Sequence, residues 1–201
     1  MMKMKILLMM VVLMLLTIGC TQQSREEIAE KIGRAKIKKI EKNVNARIET
    51  MVKGMLKYPD SYQPINTDLG IVTNNMIIYD SDAFIALRDL KNAIDNFNEY
   101  YANDTTSQDA RQELQAIKAM SDVLADVANK IENRPVEFEA IDAYHQFYAE
   151  DRPGHQVKKG YHFIIHKDNR ITLLCDHEEL LRISAFTKEL FGEPPTLLHE
   201  I

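Results

Sequence analysis

The spacing of the apolar residues changes after Arg134-Pro135, and this change limits the chain to folds that contain both helices and a sheet. Before it, apolar residues recur at steps of three and four residues, which is typical of amphipathic helices. After it they tend to alternate, which favours strands. We therefore expect an α+β fold. Its predicted parts are a long N-terminal amphipathic helix, a helical hairpin, a three-stranded antiparallel meander at 136–150, 155–166 and 171–176, and a C-terminal helix.

Capping signals predict where the helices begin. Ser24 with Glu27 forms a capping box ahead of the first helix, which should end near Tyr58 because Pro59 cannot continue the hydrogen-bond ladder. Further caps are predicted for the second, third and last helices at Ser81, Ser107 and Asp176, with the last helix at 180–191. Between the first two helices, apolar residues on both sides of Asn74-Asn75 suggest short extended segments, at Ile71, Val72 and Met76 to Ile78.

The first residues have the features of an export signal. Lys3 and Lys5 precede an unbroken apolar stretch from Ile6 to Leu16, and small residues follow it. The stretch is too short for a membrane span, which takes about 20 apolar residues.

The sequence Leu16-Thr17-Ile18-Gly19-Cys20 resembles the lipobox of bacterial lipoproteins. The resemblance implies that Cys20 receives lipid, including acyl chains such as palmitate, becomes the new N-terminus and anchors the chain to a membrane. Thr17 departs from the lipobox, which prefers leucine three residues before the cysteine. The alternative is an ordinary secretory signal with a chance cysteine. The predicted organisation is a signal peptide at 1–19, a lipidated tether at 20–23 and a single domain at 24–201.

The residues after Cys20 and the overall charge indicate a location and exclude one class of partner. Thr21 is not the aspartate that retains some such lipoproteins at the inner membrane, so we expect the outer membrane, facing the periplasm rather than the cell surface. The formal net charge is −5. The basic residues of the first helix are interleaved with Glu30 and Glu41, which predicts a solvated face and no nucleic-acid partner.

One group of residues could carry chemistry. If the predicted hairpins pair Glu150 with His155 and Lys167 with Arg170, His162 lies opposite Cys175, and His145 lies diagonally from His162 on the same face. Cys175, His162 and His145 could then form a nucleophile with its base, or a three-ligand metal site. The alternative is that Cys175, in the apolar run Leu173-Leu174-Cys175, is a small buried core residue.

The aromatic residues suggest a possible binding surface. Tyr58 and Tyr62 flank a Pro-containing break, and Tyr144 and Tyr148 belong to an aromatic cluster in the first predicted strand. These four tyrosines are candidates for contact with a ligand or protein, although aromatic strand residues more often belong to a core.

The segment Leu56-Lys57-Tyr58-Pro59-Asp60-Ser61-Tyr62, with a later hairpin turned at Pro153-Gly154, resembles uncharacterised small bacterial envelope lipoproteins. The resemblance supports the fold and implies no activity. We expect a non-enzymatic module that binds an envelope protein or a small ligand, without a cofactor. The alternative is a Cys/His-based enzyme or metal-binding protein.

Overall fold

The computed structural model describes residues 2–101 and 105–191. Within these ranges the chain forms both helices and an antiparallel sheet, which confirms the predicted α+β class. The elements in chain order are α1 (Met2–Met55), β1 (Gln63–Thr73), α2 (Ser81–Tyr101), α3 (Gln108–Glu132), β2 (Phe138–Arg152), β3 (His155–His166), β4 (Ile171–Asp176) and α4 (His177–Phe191).

The sheet has four strands in the order β1-β2-β3-β4, so the predicted three-stranded meander is corrected by the addition of β1. β1 pairs antiparallel with β2 at the edge of the sheet. The first four residues of β1 are exposed, including Ile65, and only the end of the strand is buried, so no alternating pattern marks it in the sequence. The extended segment predicted at Ile71 and Val72 is the end of β1, whereas the second predicted segment is wrong, because Ile77–Tyr79 forms a short 3-10 helix.

The sheet lies between two helical layers. One face packs against α1 in a core that includes the fully buried Ile48, Phe147 and Phe163. Side chains on the other face, including Cys175, pack against a second core built by α2, α3 and α4. Burial of each large side chain contributes about 1.5–3 kcal/mol. Both faces of the central strands are therefore covered.

Helix α1 begins at Met2, so the predicted start at Ser24 is wrong, and the predicted tether at 20–23 is part of this helix. No proline interrupts the chain between the apolar stretch at Ile6–Leu16 and the first amphipathic turn. The methionines, leucines and glutamines of this part of the chain are good helix formers. The helix ends at Met55, before Pro59, as predicted. Among the described residues, no helix is long and apolar enough to cross a membrane.

The other caps agree with the sequence at two of three positions. The Ala110 N–H donates to Ser107 Oγ at 3.2 Å, and the Glu179 N–H donates to Asp176 Oδ1 at 2.8 Å. Helix α4 begins at His177, three residues before the predicted start. For α2 the cap is Asp80 rather than Ser81, because Asp80 Oδ1 accepts the Ala83 N–H at 3.2 Å.

The register between β2 and β3 differs by one residue from the predicted register. His155 pairs with Arg152 rather than Glu150, which moves the register by two residues, and a bulge at Asp151 takes one of them back, so that Glu150 pairs with Gln156. His162 consequently lies opposite Tyr144 rather than Ala143. Successive strand residues point to opposite faces, so this one-residue difference moves His145 to the other side of the sheet from His162.

Candidate functional site

The predicted group of Cys175, His162 and His145 does not assemble. His162 and Cys175 are paired across β3 and β4, as expected. His145 lies on the α1 side of the sheet, so the predicted diagonal contact is wrong. Cys175 is 5% exposed, and burial, followed by the nearby carboxylates Glu179 and Asp176, raises the pKa of its thiol to about 12. A thiol held protonated in this way is a poor nucleophile and a poor metal ligand.

His145 has a structural environment. Its Nε2 lies 2.8 Å from the Tyr62 hydroxyl, and its Nδ1 lies 2.8 Å from Thr67 Oγ1, so both ring nitrogens are hydrogen-bonded. A neutral imidazole has one donor and one acceptor nitrogen, and the two hydroxyls can match either tautomer. Burial lowers the pKa of His145, although Glu49 opposes this effect. These contacts tie the start of β1 to β2.

His162 instead belongs to a hydrogen-bonded row that we call the imidazole chain: Asp142, His162 and His177. The carboxylate oxygens of Asp142 lie 2.9 and 3.0 Å from Nδ1 of His162. Nε2 of His162 lies 3.0 Å from Nδ1 of His177. The side chains of Asp142 and His162 are 4% and 6% exposed, whereas His177 is half-buried. The chain thus leads from the interior to the surface.

The direction of these hydrogen bonds follows from the carboxylate. An ionised Asp142 can only accept, so Nδ1 of His162 donates to it. In neutral His162 the other nitrogen, Nε2, then accepts from the Nδ1–H of His177. This leaves Nε2 of His177 as an acceptor at the surface end of the chain. Burial, followed by the neighbouring His162, lowers the pKa of His177 and favours this neutral form.

The Tyr144 ring covers the two imidazoles. Its centroid lies 4.7 Å from that of His162 and 4.4 Å from that of His177, in stacked arrangements. The Tyr144 hydroxyl accepts a hydrogen bond from Gln146 Nε2 at 2.6 Å. Gly160 on β3 leaves the space for the ring, because a Cβ atom there would lie 2.7 Å from Cε2 of Tyr144. Tyr144 and Gly160 together fix the orientation of the histidines.

A cavity of about 460 Å³ opens beside His177, and we call it the His177 cavity. Its volume falls within the range of about 300–1,000 Å³ that is usual for small-molecule sites. Aromatic rings, two lysines and two carboxylates surround it; the residues that line it include Tyr144, Tyr161, Lys158, Lys159, Asp176 and Glu178. The cavity offers the aromatic ring of Tyr144, charges of both signs and the Nε2 acceptor of His177; the Tyr161 ring packs against Phe147 on the α1 side of the sheet.

The four candidate tyrosines do not form one surface. Tyr144 lines the His177 cavity. Tyr62 is 7% exposed and packs beside Phe147 on the α1 side of the sheet. Tyr58 is half-buried with Lys57 above its ring at 5.3 Å, and Tyr148 is 41% exposed near the sheet edge. Within the described ranges, no group of three or more His, Cys, Asp or Glu side chains is arranged to hold a metal ion.

Sequence reasoning missed Asp142 and His177. Asp142 stands between Ile141 and Ala143 in a strand whose neighbours are buried, so an acid at this position was a signal for an interior charge partner. His177 follows the Asp176 cap directly, and its position became clear only once α4 was seen to begin there.

A comparison with protein-family models, curated proteins and solved structures finds no match for this chain. The resemblance of the Leu56–Tyr62 segment to small envelope lipoproteins therefore stays a prediction. The function has to be argued from the site itself.

Proposed function

We propose that the protein is a lipid-anchored envelope protein, attached to the outer membrane through Cys20, whose periplasmic domain binds a small ligand in the His177 cavity. The anchor rests on the lipobox-like sequence that ends at Cys20, whose side chain is outside what the structure describes. The binding role rests on the imidazole chain and the cavity at its end. Neither part requires a cofactor.

The observation that carries the binding role is the buried Asp142–His162 pair, continued to the cavity by His177. Removing a carboxylate from water costs several kcal/mol, and apolar side chains of similar volume often serve stability equally well. Stability alone therefore gives little reason to bury Asp142 in the sheet. A role in fixing the tautomer and orientation of His177 does give one, because it presents Nε2 to a ligand in a defined state.

The cavity favours a small, polar and partly planar ligand. Tyr144 provides a flat aromatic surface, and Nε2 of His177 can accept a hydrogen bond. Lys158 and Lys159 can pair with an anionic group, while Asp176 and Glu178 limit the net positive charge. A ligand with a hydrogen-bond donor and at least one anionic group fits this arrangement best.

Acid–base catalysis is a second candidate, and a specific observation favours it. When His177 takes a proton at Nε2, it can pass the proton on Nδ1 to Nε2 of His162, so that the positive charge comes to lie beside Asp142. Such a carboxylate-supported imidazole is the arrangement used by general bases. This histidine-based enzyme replaces the alternative in which Cys175 is the nucleophile, because His145 lies on the opposite face of the sheet and the Cys175 thiol is protonated.

The test is native mass spectrometry of the full-length protein extracted from its host membrane in mild detergent, followed by denaturation of the same sample. The denatured mass should equal residues 20–201 plus acyl chains, and an unlipidated mass would contradict the anchor. A small ligand should be retained by the unmodified protein and lost from His177→Gln. The matched control is His155→Gln, because His155 is an exposed histidine that pairs with Asp151 at 2.7 Å.

The outcomes separate the two candidates. A ligand kept by His155→Gln and lost by His177→Gln, with its mass unchanged over time, supports binding. A ligand whose mass changes during incubation with the unmodified protein, but not with His177→Gln, supports acid–base catalysis. Retention of ligand by both variants would refute the His177 cavity as its site.

A further inference from the structure

A second cavity, of about 640 Å³, lies between the first described side chains of α1 and the beginning of β2. We call it the α1 groove. Ile28 and Ile32 form its wall and are 57% and 50% exposed, while Phe138 contributes from β2. Residues four apart lie on the same face of a helix, so the two isoleucines form a continuous apolar strip. Two large apolar side chains that lie side by side and are this exposed suggest that an apolar ligand binds in the groove.

The rim of the α1 groove is positively charged. Arg25, Lys36 and Lys167 line it together with one carboxylate, Glu137. Lys167 is paired with Glu139 at 3.0 Å, so the remaining groups give a net charge of 2 − 1 = +1. Lys36 Nζ donates to the Lys167 carbonyl at 2.9 Å and to the Asn169 amide oxygen, and these neutral acceptors leave its charge uncompensated. An apolar wall beneath a cationic rim complements an amphiphile with an acyl chain and an anionic head.

The position of the groove along α1 indicates where such an amphiphile would come from. Arg25 follows Cys20 by five residues on a continuous helix. At a rise of about 1.5 Å per residue, this separation is about 7.5 Å along the axis, and Ile32 is about 18 Å from Cys20. If the acyl chains on Cys20 lie in a leaflet, Arg25 is therefore at the level of the phospholipid headgroups.

We propose that the α1 groove binds an acyl chain of an anionic phospholipid from the membrane that holds the protein, with the lipid phosphate near Arg25. This proposal rests on the proposed anchor at Cys20. The contact holds the domain against the membrane surface and shields Ile28 and Ile32 from water. Phosphate oxygens accept hydrogen bonds from the Arg25 guanidinium, and the apolar strip accommodates the chain.

The experiment places a fluorescent probe in the groove of the membrane-reconstituted, full-length mature protein. Ile32→Cys carries the probe, and Ile85→Cys on α2 is the control because Ile85 is an exposed helical isoleucine of similar accessibility, at 46%. Cys175 stays unlabelled because it is buried. Vesicles contain a minor fraction of lipid with brominated acyl chains, carrying either a phosphatidylglycerol or a phosphatidylcholine headgroup.

Bromine quenches a probe only on close contact. We expect stronger quenching at Ile32 than at Ile85, and stronger quenching by brominated phosphatidylglycerol than by brominated phosphatidylcholine. Arg25→Gln should reduce that headgroup preference by about fivefold, the usual contribution of one cation near an anionic surface. Lys36→Gln should leave it unchanged, because Lys36 lies about 16.5 Å farther along the helix axis. Equal quenching at the two positions, quenching without headgroup preference, or mutual quenching between probes on two copies would overturn the proposal.

The denatured mass of each labelled sample distinguishes failure of the anchor from failure of the groove. A mass without acyl chains refutes the proposed attachment through Cys20. In that case brominated lysophosphatidylglycerol is added to the same full-length sample below its micelle concentration. Quenching at Ile32 and not at Ile85 still supports an acyl-chain site, whereas equal quenching overturns it.

Discussion

Replacing Gly160 by alanine tests whether the Tyr144 ring holds the imidazole chain in place. The added Cβ would lie 2.7 Å from Cε2, 2.9 Å from the hydroxyl oxygen and 3.1 Å from Cζ of Tyr144. Ordinary contacts begin at 3.4 Å, so the ring would have to move by 3.4 − 2.7 = 0.7 Å. The ring borders the His177 cavity, so it can move, but the movement disturbs its stacking on His162 and His177.

The expected cost follows from two opposing effects. Overpacking costs about 1–3 kcal/mol, whereas removing the conformational freedom of a strand glycine returns about 0.5–1 kcal/mol. We expect Gly160→Ala to lower the free energy of unfolding by about 1–2 kcal/mol. Gly54→Ala is the matched control, because a Cβ there meets nothing within 4 Å and should stabilise α1 by about 0.5–1 kcal/mol. Equilibrium denaturant unfolding followed by circular dichroism measures both.

A double-mutant cycle assigns the cost to the ring. In a Tyr144→Ala background the clash is absent, so Gly160→Ala should be neutral or slightly stabilising. Native mass spectrometry should also show weaker ligand retention for Gly160→Ala in the otherwise unmodified protein. The reasoning is refuted if Gly160→Ala behaves like Gly54→Ala, or if it costs the same with and without the Tyr144 ring.

Three further predictions concern acid, thiol chemistry and helix packing. Burial lowers the pKa of His145 and His177, so the unfolded chain binds more protons than the folded one as pH falls. Stability should therefore decrease as pH falls below about 6.5 and level off below the folded pKa values; denaturant midpoints that stay constant from about pH 7 to pH 5 would contradict this. Because burial raises the pKa of Cys175 to about 12, its thiol should react with iodoacetamide only after denaturation, and rapid labelling of the folded protein would contradict its protonated state. Gly33→Ala places a Cβ 2.8 Å from the Ile71 side chain; after subtraction of the gain from replacing a helix glycine, it should destabilise the fold by about 1–2 kcal/mol. A gain in the unfolding midpoint would show that α1 does not approach β1 this closely.

The parts of the fold that follow from local chemistry could be predicted. Strands β3 and β4 have the predicted bounds, because residues that tolerate turns delimit them. Gly154 and Asn169 adopt φ values of +74° and +68°, which glycine and asparagine accept more readily than other residues do. Only the end of β1 was predicted, at Ile71 and Val72, because the exposed first half of this edge strand shows no alternation of buried and exposed residues.

The candidate site was predicted only in part, and the reason is register. The predicted pairing of His162 with Cys175 is correct. The predicted turn between β3 and β4 was shorter than the observed one, and an irregularity between His162 and Phe163 compensates for this difference. Between β2 and β3 the turn is two residues shorter than predicted, and the bulge at Asp151 compensates for only one of them, so His145 was assigned to the wrong face. Asp142 was missed because its partner comes from the neighbouring strand, and no local pattern connects the two.

Because α1 is continuous, it fixes the orientation of the domain about the helix axis. Residues 20–55 belong to one helix, so no flexible joint separates Cys20 from the part of α1 that packs on the sheet. Deleting one residue between Cys20 and Ala29 would turn the domain by about 100° about the helix axis. Inserting seven residues into the unmodified chain would instead keep its orientation to within about 20°. The orientation of the sheet relative to Cys20 therefore depends on the number of residues in that short segment.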